Sequence, residues 1–323
     1  MFKLKNIFFK KGCSIIIPTW NCADTLTKCL LSLENALPIN VDYEIIFVDN
    51  ESTDNTIADI KYIMKNRYPK IQYKIITETG PLGKARLVGL DAAKYGTVFW
   101  LDSDIVLPVN YVYDLFDMAE KLKEKFKYRK SKEHVPINKI YGLQGWMDSR
   151  GTMNERQNIW HRWWHGLETD NFKNKGYNLG SPTANLICLN DYKLTKQQRQ
   201  ELSELKCYED NYLASVVRKQ GYEMYALDIP TPHLKFHAQR TTGKSADYEI
   251  LWGLVGNMTR GDSKAKALWH YKWVFFRGLH SFHTYHDLDV LILTITTFIN
   301  VLKALVKNKE IINQERLKDL AKW

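Results

Sequence analysis

Cysteine is scarce in this chain and carries no pattern. Cys13, Cys22, Cys29, Cys188 and Cys207 are scattered through 323 residues, and no pair has Cys-x-x-Cys spacing. An odd, unpatterned set reads as reduced thiols in a reducing compartment, most of them packing residues. A secretory leader is also absent from the reading: the start, 1–11, is basic, and its apolar stretch Ile7-Phe8-Phe9 is too short for a signal-peptide core. The chain is therefore expected in the cytoplasm. There is no internal repeat and no low-complexity tract. No helix-turn-helix, zinc-finger or ribonucleoprotein pattern accompanies the net charge of +10, so nucleic acid is not expected as a partner. An anionic membrane surface or a phosphorylated substrate would each account for that charge. The basic cluster at 121–132 reads as the solvated end of a helix. A hydrophobic content of 45% and a charged content of 25% are those of a globular chain with one large core or two smaller ones.

What is present is alternation. Ser14-Ile15-Ile16-Ile17 reads as a buried strand stopped by Pro18, and Leu26, Leu30 and Leu33 mark a helix over 24–33. Glu44-Ile45-Ile46-Phe47-Val48 is a second buried strand ending at Asp49. Ser52-Thr53-Asp54 supplies a helix start, continued by Ile57, Ile60, Ile63 and Met64. A third strand over 71–76, a helix over 84–94 and a fourth strand over 97–101 follow. Such alternation predicts a mostly parallel sheet flanked by helices on both faces. Ligands of such sheets bind beyond the carboxyl ends of the strands, where Thr19, Asp49 and Asp102 fall.

The fourth strand, Thr97-Val98-Phe99-Trp100-Leu101, runs straight into Asp102-Ser103-Asp104. Two carboxylates at the end of a buried strand repel each other and lose hydration unless something offsets both. A divalent cation shared with a diphosphate would do so. A solvated turn with Asp104 near a helix start is the plainer alternative.

From Ile140 onward the alternation fails. The stretch 146–164 carries Trp146, Trp160, Trp163 and Trp164 and is expected to be partly helical. Those rings either pack on the sheet or form an acceptor platform. Residues 181–188 read as a loop feeding another strand. Glu209-Asp210 opens a helix over 211–219, with Gly221 at a plausible C-cap position. After Pro230 an extended segment would put His233 and His237 on one face, since their spacing is even. Further on, Trp269 to Phe276 interleaves aromatics with Lys272, and 290–306 is strongly apolar apart from Asn300 and Lys303. At about 17 residues it is at the short edge of a spanning helix. Its polar residues, with Lys303, Lys307, Lys309, Arg316, Lys318 and Lys322, suit an interfacial helix or one docked on the protein.

Five segments, taken in order, resemble a known family. Ser14-Ile-Ile-Ile-Pro-Thr-Trp-Asn21 is similar to the opening strand of family 2 glycosyltransferases of the GT-A fold. The run 47–56 resembles that family's second strand and Asp-rich turn. Gly83-Lys84-Ala85-Arg86-Leu87-Val88-Gly89 resembles its Ala-Arg-Asn-x-Gly segment, with Leu87 in place of Asn. Asp102-Ser103-Asp104 takes the place of its Asp-x-Asp motif. Pro182-Thr183-Ala184-Asn185 resembles a segment that usually reads Gly-Ala-Asn, and Glu209-Asp210 resembles its acceptor-side pair. The likeness covers about residues 12 to 240.

The resemblance implies an α/β GT-A catalytic domain over 1–240, with a donor half at about 12–110 and an acceptor half at about 140–240. A helical, aromatic- and Lys-rich extension over 241–323 would follow, associated with a membrane or packed on the domain. It further implies a metal-dependent, inverting transfer from a nucleotide-sugar donor to a hydroxyl of a glycan or lipid-linked acceptor. The cofactor would be Mn2+ or Mg2+. Pro18, Thr19, Asn21, Asp49, Lys84, Arg86 and Asp102 become donor-binding candidates, Asp49 toward the base and Asp102 toward the ribose or a metal-bound water. Lys84 and Arg86 would face the diphosphate at the start of their helix. Asp104 and His237 become metal ligands. Asp210 becomes the general base and Glu209 an acceptor or structural contact, although acidic residues in a first helical turn are also favoured by the helix dipole alone. Two other readings are a non-catalytic binding protein on a degenerate scaffold and a nucleotidylyltransferase. The second would need a glycine- and basic-rich loop near residue 20, which is missing.

Overall fold

The computed structural model describes residues 12–128, 131–148, 177–178, 185–189, 194–205, 209–234 and scattered positions between 275 and 299. Trp160, Trp163, Trp164, Pro182, Thr183, Ala184, Cys207, His237 and the basic tail beyond 300 lie outside the described residues.

Eight strands form one sheet in the order β3-β2-β1-β4-β7-β5-β8-β6. They are β1 (Cys13–Thr19), β2 (Tyr43–Asp49), β3 (Gln72–Thr77), β4 (Val98–Trp100), β5 (Ile140–Asp148), β6 (Tyr177–Asn178), β7 (Ile187–Cys188) and β8 (Glu223–Pro232). The helices that accompany them among the described residues up to 234 are α1 (Ala23–Ala36), α2 (Thr56–Arg67), α3 (Leu82–Ala92), α4 (Tyr111–Leu122), α5 (Lys196–Ser203) and α6 (Glu209–Lys219). Strands β1, β2, β3 and β4 are mutually parallel, as are β5 and β8. Strand β7 runs antiparallel between β4 and β5, so the sheet is mixed in its second half.

The period of two in the apolar strands divides the core. Ile15, Ile17, Ile45, Phe47 and Phe99 face α1, α2 and α4, while Ile16, Ile46, Val48, Val98 and Trp100 face α3 and α6. Each fully buried side chain of this kind contributes roughly 1.5–3 kcal/mol. Gly89 lets α3 lie against β1: a Cβ there would stand 2.3 Å from Ile16 Cγ2.

Pro18 does not stop β1, which continues to Thr19. The amide of Ser14 donates to Thr97, so even-numbered amides of β1 face β4. Strand β4 ends at Trp100, so the N–H that Pro18 lacks faces no strand partner. The opposite end of the sheet is closed by Glu44. Its Oε1 accepts from Ser14 Oγ at 2.7 Å and from the Lys94 amide, and its Oε2 lies 3.3 Å from Lys74 Nζ.

One other expectation is corrected. The basic stretch at 121–132 is only in part a helix end. Helix α4 stops at Leu122, a single 3-10 turn spans Lys123–Lys125, and Lys127 then bridges His134 in a tight reversal. Trp146, the first of the four tryptophans, lies in strand β5.

Candidate active site

The strand order reverses beside β1: β2 and β3 lie on one side, β4 on the other. Such a reversal opens a crevice at the carboxyl ends of the strands. Thr19, Asp49 and Asp102 come from the ends of β1, β2 and β4, as the alternation predicts.

The loops around Asp49 are locked by side chains. Asp49 Oδ1 accepts from Thr19 Oγ1 at 2.9 Å and from Ser52 Oγ at 2.6 Å, and Oδ2 accepts the Ser52 amide at 2.8 Å. Asn21 sits in the left-handed region, φ 45°, and its Oδ1 accepts the Thr53 amide at 2.8 Å. Asp54 joins two helix starts: its Oδ1 accepts the Thr56 amide of α2 and its Oδ2 the Ala23 amide of α1. Thr56 hydrogen bonding holds the Asp54 carboxyl below its ordinary pKa. A carboxylate has about four lone-pair sites, and the three bonds to Asp49 leave one on Oδ2. Trp20, between Thr19 and Asn21, is 64% exposed at the rim of this network. The sequence reading passed over it. An exposed tryptophan within the β1-end motif was the available signal.

Asp104 meets His233. Asp104 Oδ2 and His233 Nε2 are 3.0 Å apart. The backbone enforces the pairing: Ile105 bridges His233, the Leu234 amide donates to Asp104, and the Val106 amide donates to Pro232. Burial lowers the His233 pKa, and the Asp104 carboxylate more than reverses this, so the ring sits above its ordinary value. A carboxylate oxygen and an imidazole nitrogen on one side of a cleft are a donor set suited to manganese or another transition metal. Among the described residues no group of three or more His, Cys, Asp and Glu side chains could hold a metal alone. A cation bound there would take its remaining ligands from substrate phosphate and water. His237, the expected partner, lies outside the described residues; His233 is the histidine brought to Asp104.

Arg86 is not an outward-facing cation. It is 4% exposed, its Nη2 is 3.1 Å from Asp102 Oδ1, and its Nε is 3.2 Å from Glu209 Oε1. Its guanidinium carbon lies 5.5 Å from the Trp100 ring centroid. Burial disfavours its charge, but the two carboxylates outweigh that and raise its pKa. At the start of α3 the amides of residues 83–85 are already engaged. The amide of Gly83 donates to Leu205, and those of Lys84 and Ala85 both donate to Pro81. Lys84 itself is paired with Glu78 at 2.5 Å.

Glu209 and Asp210 form the first turn of α6. Glu209 is buried. Burial pushes its carboxyl up to about 7, with Arg86 pulling against the rise and Asp210 and Asp102 adding to it. Glu209 is thus buried against Arg86, whereas Asp210 is only partly buried. Asn185 is fully buried beneath the site. Its Nδ2 donates to Thr231 Oγ1 at 2.5 Å, and Thr231 in turn donates to the Trp146 carbonyl.

Comparison with known proteins adds a sequence family and a fold. The chain is 30% identical over 135 residues to the poly(ribitol-phosphate) beta-glucosyltransferase of Bacillus spizizenii, a match covering 41% of this chain and 19% of that protein. It is 30% identical over 112 residues to the poly(ribitol-phosphate) beta-N-acetylglucosaminyltransferase TarP of Staphylococcus aureus, covering 34% of each. The matched region thus spans between a fifth and a third of these curated relatives. Among solved structures, the mannosyltransferase PcManGT of Pyrobaculum calidifontis, in complex with GDP-Man and Mn2+, superposes with a TM-score of 0.50 at 14% identity. That superposition covers 98% of this chain and 80% of the other, and the shared fold is of the GT-A type. The description of glycosyl transferase family 2 matches residues 14–181, just over half of the sequence, and the chain belongs to that family.

Proposed function

We propose that this protein is a metal-dependent, inverting glycosyltransferase that moves a sugar from a nucleotide-sugar donor to a hydroxyl of a glycan or lipid-linked acceptor. The observation that carries the reading is the convergence of Asp102, Asp104 and His233 beside the carboxyl ends of β1, β2 and β4. The donor base lies against Trp20 and gives an N–H to the free lone pair of Asp49. Thr19, Asn21 and Pro18 hold that end of the pocket in shape. Asp104 and His233 would hold the divalent cation. When bound there, a cation would supply Lewis-acid stabilisation to the donor diphosphate, an effect worth several kcal/mol in metal-dependent enzymes. Asp210 takes the proton of the acceptor hydroxyl as that oxygen attacks the anomeric carbon. The bond to the diphosphate oxygen breaks on the opposite face, and the anomeric centre inverts.

The names of the two relatives and the net charge of +10 favour an anionic, phosphate-bearing polymer as acceptor. Release of nucleoside diphosphate from a panel of nucleotide sugars, with manganese and with polyol-phosphate or neutral glycan acceptors, tests the function. Metal-dependent release stimulated by an acceptor is the expected result. Binding of a donor with no release in any combination would instead identify a non-catalytic binding protein.

The extension is the membrane-docking part of this reading. Leu288, Ile292, Ile295 and Ile299 are helical and exposed, spaced four, three and four apart, so they share one face. No helix of the described residues is long and apolar enough to cross a membrane. An apolar face followed by a lysine-rich tail suits an anionic bilayer surface. Full-length protein should sediment with anionic vesicles, less so in high salt, and Ile292→Ser with Ile295→Ser should release it. Sedimentation unchanged by the two substitutions, or none at all, would refute the docking face.

A further inference from the structure

Arg86 touches both sides of the reaction centre. Its Nη2 holds Asp102 at the end of β4, and its Nε holds Glu209, 123 residues further along the chain, at the start of α6. Helix α3 makes a second bond to the same region, from the Gly83 amide to the Leu205 carbonyl. That contact is close: a Cβ at Gly83 would stand 2.0 Å from Leu202 O. The turn that carries Arg86 is therefore pressed against the segment that leads into α6. Glu209 precedes Asp210 directly, so whatever fixes Glu209 fixes the turn from which Asp210 projects.

We propose that Arg86 is a positioning residue that sets the acceptor-side base against the donor-side carboxylate, acting on Asp210 through Glu209. The proposal rests on the transferase reading above. The guanidinium suits the task because its planar fork reaches two carboxylates in fixed directions; a lysine would offer one mobile point charge. Burial stiffens the arrangement. Arg86 and Glu209 are both almost inaccessible, while Asp102 keeps a third of its side chain exposed toward the crevice. Sequence alone gave Arg86 to the diphosphate. The carboxylates that claim it are 16 and 123 residues away, so no local spacing showed the link.

A double-mutant cycle in kcat tests this, with Arg86→Lys, Glu209→Gln and the pair. Donor affinity would be followed by calorimetry and folding by thermal denaturation. Misplacing a reacting group by about 1 Å can cost about 10²-fold, so each single variant should lose about 10–100-fold in kcat. Donor affinity of Glu209→Gln should stay within about threefold, because that residue lies behind the donor carboxylate. The pair should be no slower than the worse single variant, since both break one linkage. A purely structural role would lower the melting temperature but leave kcat per folded molecule intact. Losses that multiply, or kcat within about threefold of the parent in both single variants, would overturn the proposal while leaving an active transferase. If Arg86→Lys does not fold, Glu209→Gln decides alone: retained kcat overturns the proposal, and a lost kcat with donor affinity kept supports it. A parent protein that consumes no nucleotide sugar overturns the transferase reading and this proposal with it.

Discussion

Asp210→Asn is expected to bind donor as the parent does and to turn over about 10²–10⁴-fold more slowly. The acceptor oxygen becomes a good nucleophile only as its proton leaves. An amide of the same shape cannot take that proton. Asp210 is in the first turn of α6, partly exposed, beside a buried and clamped neighbour. That clamp keeps the geometry when the charge is removed, so the loss should appear in kcat and not in folding. An acidic residue that only complemented the helix dipole would contribute about 0.3–1 kcal/mol to stability and nothing to turnover. Single-turnover rates with saturating donor separate the two roles. A rate within a few-fold of the parent would reduce Asp210 to a helix-start residue.

Asp104→Ala should remove metal-dependent donor binding almost entirely. On the proposed reading the side chain is one of two protein ligands to the cation, the other being His233, whose Nε2 lies 3.0 Å from Asp104 Oδ2. The backbone contact that shapes this corner, from the Leu234 amide to the Asp104 carbonyl, is independent of the side chain. The variant should therefore fold. His233→Ala should weaken metal affinity in the same assay, and more than His237→Ala does. The opposite ranking would move the second ligand to His237.

The first half of this fold was legible because the buried strands β1, β2 and β4 run into polar residues at their carboxyl ends. Thr19, Asp49 and Asp102 follow from that rule and from parallel topology. Pro18 was misread as a stop because the strand pattern does not reveal which neighbour ends first. The second half was harder to read because β7 has two residues and runs antiparallel between longer strands, so no alternation announces it. The choice between His233 and His237 could not come from even spacing. The placement of His233 beside Asp104 depends on β8 ending at Pro232 and on the bridge between Ile105 and His233, a pairing across 128 positions; His237 lies outside the described residues. The partners of Arg86 were the least legible. A cation near a helix start beside such a crevice reads as a phosphate ligand, and nothing local shows that it pairs with carboxylates 16 and 123 residues away.

The most direct measurement is calorimetric titration of nucleotide sugars into the parent protein and into Asp104→Ala, with and without manganese. The account predicts that at least one nucleotide sugar binds the parent with manganese, binds far more weakly without it, and fails to bind Asp104→Ala under either condition. Equal binding in all four arms, or none to the parent, would contradict it.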